Sequence, residues 1–348
     1  MKKHLLFIFI NFLGIITLAQ SDNAEIQEAE RKKIMDASMK VEDREGWFRK
    51  GGLGLDLGQL LIINPYIGGG SNRIGLGGAI SYKANLKKGF LTWTNDFGIN
   101  YSTQRIGSGT LSVGSKQKVP FEKALDILTI SSNIAYKLKE GSRWAYSTDL
   151  FFQSQFSKSF LDSVSNKIYL QDLHNGTYNT KLVSKFLSPA NITFALGMKY
   201  QKQPNWYIFL SPVALKSIII TDQKIANLGV HGTKMKSNST NYKKSSTGIG
   251  ALAHAGYTHK FFKKLNFGSE LLLYSDYTDN PQNIDVTWLN NIGVEIFKGL
   301  NLSFKLDAYY DDNKTNNISD KNAIGGVSGQ GKRTNFIQQL ILVYNRNF

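Results

Sequence analysis

From Trp47 to the last residue, apolar and polar positions alternate with a period of two. In one stretch Ile74, Leu76, Gly78, Ile80, Tyr82, Ala84 and Leu86 share a side, and Arg73, Gly75, Gly77, Ala79, Ser81, Lys83 and Asn85 share the other. Successive side chains of a strand point to opposite faces, so this spacing predicts a strand with one greasy face and one polar or small face. The pattern recurs in Leu91, Trp93, Phe97, Ile99 and Tyr101 against Thr92, Thr94, Asp96, Gly98 and Asn100, and again in Ile192 to Tyr200, Val286 to Ile296 and Leu302 to Tyr310. About twelve such strands are predicted, starting near 49, 73, 90, 124, 143, 191, 205, 247, 265, 284, 300 and 333. Their connections alternate in length. Tight turns at Lys87 to Gly89, Glu140 to Ser142, Gln203 to Asn205, Lys263 to Lys264 and Lys298 to Gly299 separate longer polar loops near 62–72, 106–123, 158–190, 222–246, 279–283 and 312–332.

Long strands with short turns on one side and long loops on the other are the layout of a membrane-spanning antiparallel β-barrel, whose short turns face the periplasm. A β-sandwich or a lipocalin-like barrel also has period two, but each buries its apolar face inside. The polar face here carries Lys83, Asp96, Lys199, Glu270, Asp276, Asp285, Glu295, Lys305 and Asp307. That is too much charge for a dry core and suits a wet or salt-bridged lumen, so these nine are the candidate lumen-facing residues. Trp93, Tyr101, Trp144, Tyr200, Trp206, Tyr257, Trp288 and Tyr310 stand near strand ends and are candidates for aromatic girdles at head-group level.

The first residues read as an address. A basic start, the apolar run LLFIFINFLGIITLAQ and the small residues Thr17 and Ala19 predict a secretory signal peptide over residues 1–19. Residues 20–46, with Ile26, Ala29, Ile34, Met35 and Met39 at helical spacing, are expected to form a short periplasmic helix or flexible lead-in, leaving 47–348 as the barrel. The chain ends LILVYNRNF, and Phe348 closing an amphipathic strand resembles the signal by which bacterial barrels are recognised for insertion. The expected location is therefore the outer membrane, with its lipid and the insertion machinery as partners, in a monomer.

Composition narrows the chemistry. Zero cysteines exclude disulfides, thiolate metal sites and iron–sulfur clusters. The formal charge of +16 permits anionic partners, but an exported chain with dispersed turn lysines is not expected to bind nucleic acid. The glycines of GLGLDLG and RIGLGG precede no helix and read as strand glycines rather than a phosphate cradle. His254 and His259 fall on opposite faces of one strand, which is poor spacing for a shared metal. The run Asp307, Asp311, Asp312 and Asn313, with Asp276 and Asp279, has acids for calcium but not the spacing of an EF-hand loop. No cofactor, metal or catalytic residue is expected.

Four phrases carry a family resemblance: GWFRKGGLGLDLGQ at 46–59, FLSPVALKSIIITDQKIANLGV at 209–230, YSDYTDNPQNIDVTW at 274–288 and GKRTNF at 331–336. Together they resemble the Bacteroidetes family called domain of unknown function 3078. The resemblance implies an exported, outer-membrane-type β protein of a Gram-negative bacterium and implies no activity.

Three functions remain open on these residues. The first is a narrow pore or uptake channel for small polar solutes. The second is a closed structural or assembly barrel that holds partner proteins by its 158–190 and 222–246 loops or its N-terminal segment. The third is a lipid hydrolase embedded in the wall, for which Ser269 and His259 lie on neighbouring strands.

Overall fold

The computed structural model describes residues 45–62, 73–104, 120–162, 168–175, 178–203, 205–229, 231–261, 264–298, 300–310, 316–319 and 327–347. The signal peptide, nearly all of the lead-in, Phe348 and Asp311 to Asn313 lie outside the described residues. The strands are β1 (Gly46–Ile62), β2 (Arg73–Lys88), β3 (Leu91–Gln104), β4 (Glu122–Lys137), β5 (Trp144–Ser154), β6 (Ser159–Asp162), β7 (Ile168–Tyr169), β8 (Thr180–Ser184), β9 (Ala190–Gln203), β10 (Trp206–Ile219), β11 (Ser245–Phe261), β12 (Leu265–Asp276), β13 (Asp285–Phe297), β14 (Leu300–Tyr310), β15 (Asn316–Ser319), β16 (Val327–Gly331) and β17 (Asn335–Asn347). One short helix, α1 (Gln223–Ala226), lies between β10 and β11.

Twelve of these strands pair antiparallel in the order β3-β2-β1-β17-β14-β13-β12-β11-β10-β9-β5-β4, and a further β3–β4 ladder joins the ends of that order. Each of the twelve therefore bonds to two neighbours, and the circuit of pairings returns to its start. Such a circuit leaves no unpaired sheet edge, which is the condition for a sheet to cross a bilayer. The β1–β17 ladder, from Gly52↔Asn347 to Ile62↔Ile337, brings the first and last barrel strands together.

Burial runs opposite to that of a soluble sheet. Large apolar side chains of the barrel strands are exposed, with Ile80 at 46%, Leu196 at 45% and Leu210 at 47%, while the buried positions beside them include Ser81, Asn100, Thr129, Ser147 and Ser303. The greasy face thus points outward and the polar face inward, as lipid outside and a polar interior require. Polar groups on the outer face are tied up by hydrogen bonds. Trp93 Nε1 donates to Ser132 Oγ (2.9 Å), Ser132 donates to Asn95 Oδ1 (2.8 Å) and Asn95 Nδ2 donates to the Ala84 carbonyl (3.2 Å). Half a circuit away the same triad recurs as Trp288 to Ser269 (3.0 Å), Ser269 to Asn290 (2.8 Å) and Asn290 to the Leu306 carbonyl (3.0 Å). Each triad leaves the asparagine and serine satisfied where lipid offers no partner.

All the short connections, such as 89–90 and 138–143, lie at one end, and all the long ones at the other. Gly89 and Gly141 take positive φ in two of the short turns, a conformation that suits glycine. Aromatic rings crowd this turn end: Trp47 against Trp93 (5.7 Å between centroids), Phe90 against Tyr136 (6.1 Å), Trp144 against Tyr200 (4.8 Å) and Tyr200 against Trp206 (5.6 Å). Trp288 stands at the loop end, three residues into β13. Amphipathic rings at two levels mark the two head-group zones.

The two longest excursions that the structure describes are folded, not merely polar loops. Strand β6 pairs with β7 on one side and β8 on the other, and β7 also joins the start of β4 through Glu122↔Tyr169. The segment after β10 carries α1, whose N-cap Asp222 accepts from Lys224 N (2.8 Å). The two excursions dock as one cap: Ile220, Ile225 and Ala226 are buried with Leu182, Ile218 and Tyr242 packed against them, and Lys185 pairs with Asp222 at 2.6 Å. The Lys185 hydrogen bond is the main cause holding the Asp222 carboxyl below its usual range, with the capped backbone N–H groups adding to it. His231 bonds to the Val183 carbonyl (2.8 Å), and burial pushes its imidazole below the ordinary histidine range.

Candidate functional site: the inner face of the barrel

Register places every inner side chain, because opposed residues of neighbouring strands share a face. Lys83 opposes Asp96, which opposes Ser131. Glu270 opposes Gly256, Asp276 opposes Gly250, and Asp285 opposes Tyr274. Lys199 opposes Ala145 and Phe209, Lys305 opposes Asn291, Asp307 opposes Leu289, and Glu295 opposes Asn301 near the turn end. All nine candidates from the sequence are on the inward set of positions, and Lys305 and Asp307 are each only 1% exposed. The structure adds Asp149 and Lys216, which the sequence reading passed over.

These residues do not form one cluster. Along β2 to β5 the interior is mostly small and polar, although Ile127 and Phe151 also face inward. Lys83 and Asp96 pair at 3.5 Å, and Asn133 Nδ2 donates to Asp149 Oδ1 (2.5 Å) and Ser147 Oγ (2.9 Å). The buried side-chain atoms Ser81 Oγ, Ser102 Oγ and Thr129 Oγ1 have no protein partner here. Hydroxyls in that state take water as their partner, so this wall is built for hydration.

Along β9 to β12 the interior is large, ringed and in places dry. Phe209, Leu252, Tyr274, Ala195 and Ala214 form a buried cluster with Leu272 against it. Beside it, on the turn side, Lys199 Nζ lies 4.7 Å from the centroid of Tyr207. Tyr207 Oη is 3.0 Å from His254 Nε2, which is 3.2 Å from Glu270 Oε2. One imidazole nitrogen therefore bridges a phenol and a carboxylate. On the loop side Lys216 Nζ lies 5.1 Å from the Tyr274 centroid and 3.5 Å from Asp285. Glycines make room for these rings: a Cβ on Gly256 would stand 2.5 Å from the Tyr207 ring, and one on Gly248 would stand 2.0 Å from Asp276 Oδ2. A bulge between Leu210 and Val213 keeps the faces in phase around Pro212, and Ser211 Oγ lies 2.8 Å from the carbonyls of Leu196 and Val213.

Away from the turn end, the inward positions carry more carboxylates (Asp96, Asp149, Glu270, Asp276, Asp285, Asp307) than lysines (Lys83, Lys199, Lys216, Lys305), whereas toward the turn end Glu295 shares the inward register with Lys87, Lys137 and Lys260. The lysines that make the whole chain basic sit instead at the turn rim, as Lys88, Lys139, Lys264 and Lys298, and on the cap, as Lys234, Lys236, Lys243 and Lys244, all exposed. Exposed charges are screened within about 8–10 Å by physiological salt, whereas those inside a low-dielectric wall are screened far less. Away from the turn end, an ion in the lumen therefore meets more carboxylates than lysines.

Two other sequence candidates take definite places. Ser269 and His259 are on the outer face, Ser269 opposite Tyr257 and His259 opposite Phe267. The Ser269 hydroxyl bonds toward Asn290 and Trp288, while His259 lies with its ring 4.4 Å from that of Phe261. Asp276 lines the inner wall, whereas Asp279 is on the cap side, bonded to Lys234 at 3.1 Å. Among the described residues no group of three or more His, Asp or Glu is arranged to hold a metal.

The fold and its interior define a class: a twelve-stranded, membrane-spanning β-barrel with a charged lumen. A family model described as "Protein of unknown function (DUF3078)" matches residues 58–160. No curated protein matches the chain. Among solved structures, an outer membrane channel from Pseudomonas putida F1 aligns over 88% of this chain and 100% of its own, with a TM-score of 0.41 and 11% identity. The NanC porin aligns over 84% of this chain and 99% of its own (TM-score 0.38, 9% identity). The translocator domain of autotransporter NalP from Neisseria meningitidis aligns over 92% and 95% (TM-score 0.36, 12% identity). The barrel assignment stands on the pairing circuit and the inverted burial of this chain.

Proposed function

We propose that the protein is an outer-membrane channel, a narrow path for small polar solutes that favours cations. The observation that carries this reading is the interior itself, with serine, threonine and asparagine facing inward along β2 to β5 and, away from the turn end, more inward carboxylates than lysines. A barrel of eight strands is filled by its side chains and one of sixteen to eighteen encloses a channel, so twelve strands leave a restricted passage. Lumen charge tunes what such a passage admits. The test is conductance of the refolded protein in planar bilayers, with heat-modifiable gel migration as the check that a barrel has formed. Discrete openings that shift with Glu295→Gln support the channel; a folded barrel that stays silent overturns it.

A second reading, a barrel that holds partner proteins, is favoured by one feature. The cap exposes Phe186, Leu228 and Met235 although it has an apolar core of its own. Exposed apolar side chains on an ordered surface are what an interface uses. Under this reading, removing the cap loses a co-purifying protein and leaves conductance unchanged.

A further inference from the structure

The β9–β12 wall places a lysine ammonium over a tyrosine face beside carboxylates twice, at two levels of the lumen. Toward the turn end, Lys199 lies over Tyr207, whose hydroxyl shares His254 Nε2 with the Glu270 carboxylate. Toward the loop end, Lys216 lies over Tyr274 and 3.5 Å from Asp285. An ammonium held between a ring face and a carboxylate is the arrangement by which aromatic sites recognise alkylammonium ligands.

The loop-end box has features beyond what its own lysine uses. Tyr274 is 95% buried by its 5% exposure, yet its hydroxyl has no protein partner. Asp276 accepts from Thr278 N (2.8 Å) and Thr278 Oγ1 (2.6 Å) through Oδ1, while its Oδ2 lies over the bare backbone of Gly248. The Lys216 side chain is 45% exposed, so part of it already faces solvent. The dry patch of Phe209 and Leu252 adjoins the box and suits the short alkyl arm of an incoming ammonium.

We infer that the Tyr274–Asp285–Asp276 box is a binding subsite for a primary alkylammonium solute, occupied at rest by the tethered ammonium of Lys216, with Lys199 over Tyr207 as a second step along the same wall. This rests on the cation-favouring channel reading and names the class of cation. A solute's ammonium exchanges with the lysine's, so charge in the box is conserved while the lysine swings aside. The energetics are those of replacement rather than of burying a new charge.

The test is calorimetric titration of n-butylammonium into the refolded barrel in detergent. Lys216→Met removes the internal competitor and keeps the side-chain volume, and is expected to tighten binding about fivefold, the order of one cation–π contact. Tyr274→Leu in the Lys216→Met background is expected to lose the gain, whereas Tyr274→Phe, which keeps the ring, retains most of it. Equal affinity in wild type and Lys216→Met, or a gain that survives Tyr274→Leu, overturns the inference. Reversal potentials in a KCl gradient separate the two levels of the argument. Cation preference without butylammonium binding sinks the subsite and leaves the channel; a silent barrel that binds butylammonium sinks the channel and leaves the subsite.

Discussion

Two walls of one lumen are built on different plans. From β2 to β5 most inner positions are polar, among them Ser81, Lys83, Asn85, Asp96, Asn100, Ser102, Thr129 and Ser147, with Ile127 and Phe151 as apolar exceptions, beside the outward Ile80, Tyr82 and Ile130. From β9 to β12 the inner positions alternate bare glycine with large rings, so Tyr207, Phe209 and Tyr274 lie against the wall and pack on each other. The first wall is joined by short polar contacts such as Lys83 to Asp96 and Asn133 to Asp149, and leaves the hydroxyls of Ser81, Ser102 and Thr129 to water. The second adds a miniature hydrophobic core inside a membrane protein. The difference shows that an inward position in a barrel need not be polar: where neighbouring glycines open enough space, apolar side chains bury one another on the inside as they would in a soluble core.

That contrast can be broken by substitution. The largest effect is expected at Phe209→Ala, which should lower stability by about 3–5 kcal/mol, as large-to-small changes at fully buried aromatics do. Ser81→Ala on the opposite wall should change it by less than about 1 kcal/mol, because it removes a hydroxyl with no protein partner. Urea unfolding of both variants in lipid vesicles measures the pair, and equal costs would erase the distinction between the walls. Next comes Gly197→Ala. Its Cβ would stand 2.0 Å from the Leu210 carbonyl oxygen, a backbone atom that cannot swing away. A penalty of about 1–3 kcal/mol and a shifted bulge are expected, read by the same unfolding and by amide exchange at Leu210 to Val213.

His254→Leu is expected to cost about 1–3 kcal/mol, since it withdraws the nitrogen shared by the half-buried Tyr207 phenol and the Glu270 carboxylate. A double-mutant cycle with Tyr207→Phe should show coupling; strict additivity would mean that the bridge carries nothing. The smallest effect concerns the cap and serves as a control outside the lumen. Burial holds the His231 imidazole below the ordinary value of 6.5, so the folded cap binds fewer protons there than the unfolded segment. Its contribution is intact above about pH 6.5 and is lost as pH falls below that toward the depressed folded value. Amide exchange at residues 220–229 should speed up on going from pH 7 to pH 5 and stay flat in His231→Asn, with both lumen walls unaffected.

The barrel was legible in the sequence because lipid outside and polar inside impose one alternation on every strand, and an alternation survives without knowledge of partners. The predicted starts near 73, 90, 143 and 265 meet Arg73, Leu91, Trp144 and Leu265. The cap was not legible. Strands such as Ser159–Asp162 and Ile168–Tyr169 are too short for periodicity to register, and their order comes from docking on α1 and on the start of β4. Candidate inner charges could be named from their parity, but not grouped. Whether Lys199 meets a carboxylate or a ring depends on the register of β9 with β5 and β10, and that is a property of pairs of strands. Phe209 was missed for a related reason: the Pro212 bulge shifts the phase of β10, so the strand shows no clean alternation to read.

The central claim is that the inward carboxylates away from the turn end, not the basic rims, set what passes. The direct measurement is the reversal potential of single channels under a KCl gradient, for wild type and for an Asp276→Asn, Asp285→Asn double variant. The account predicts a potential of the sign set by cations in the wild type, falling toward zero in the variant. An anion-selective wild type, or a potential indifferent to both carboxylates, would contradict it.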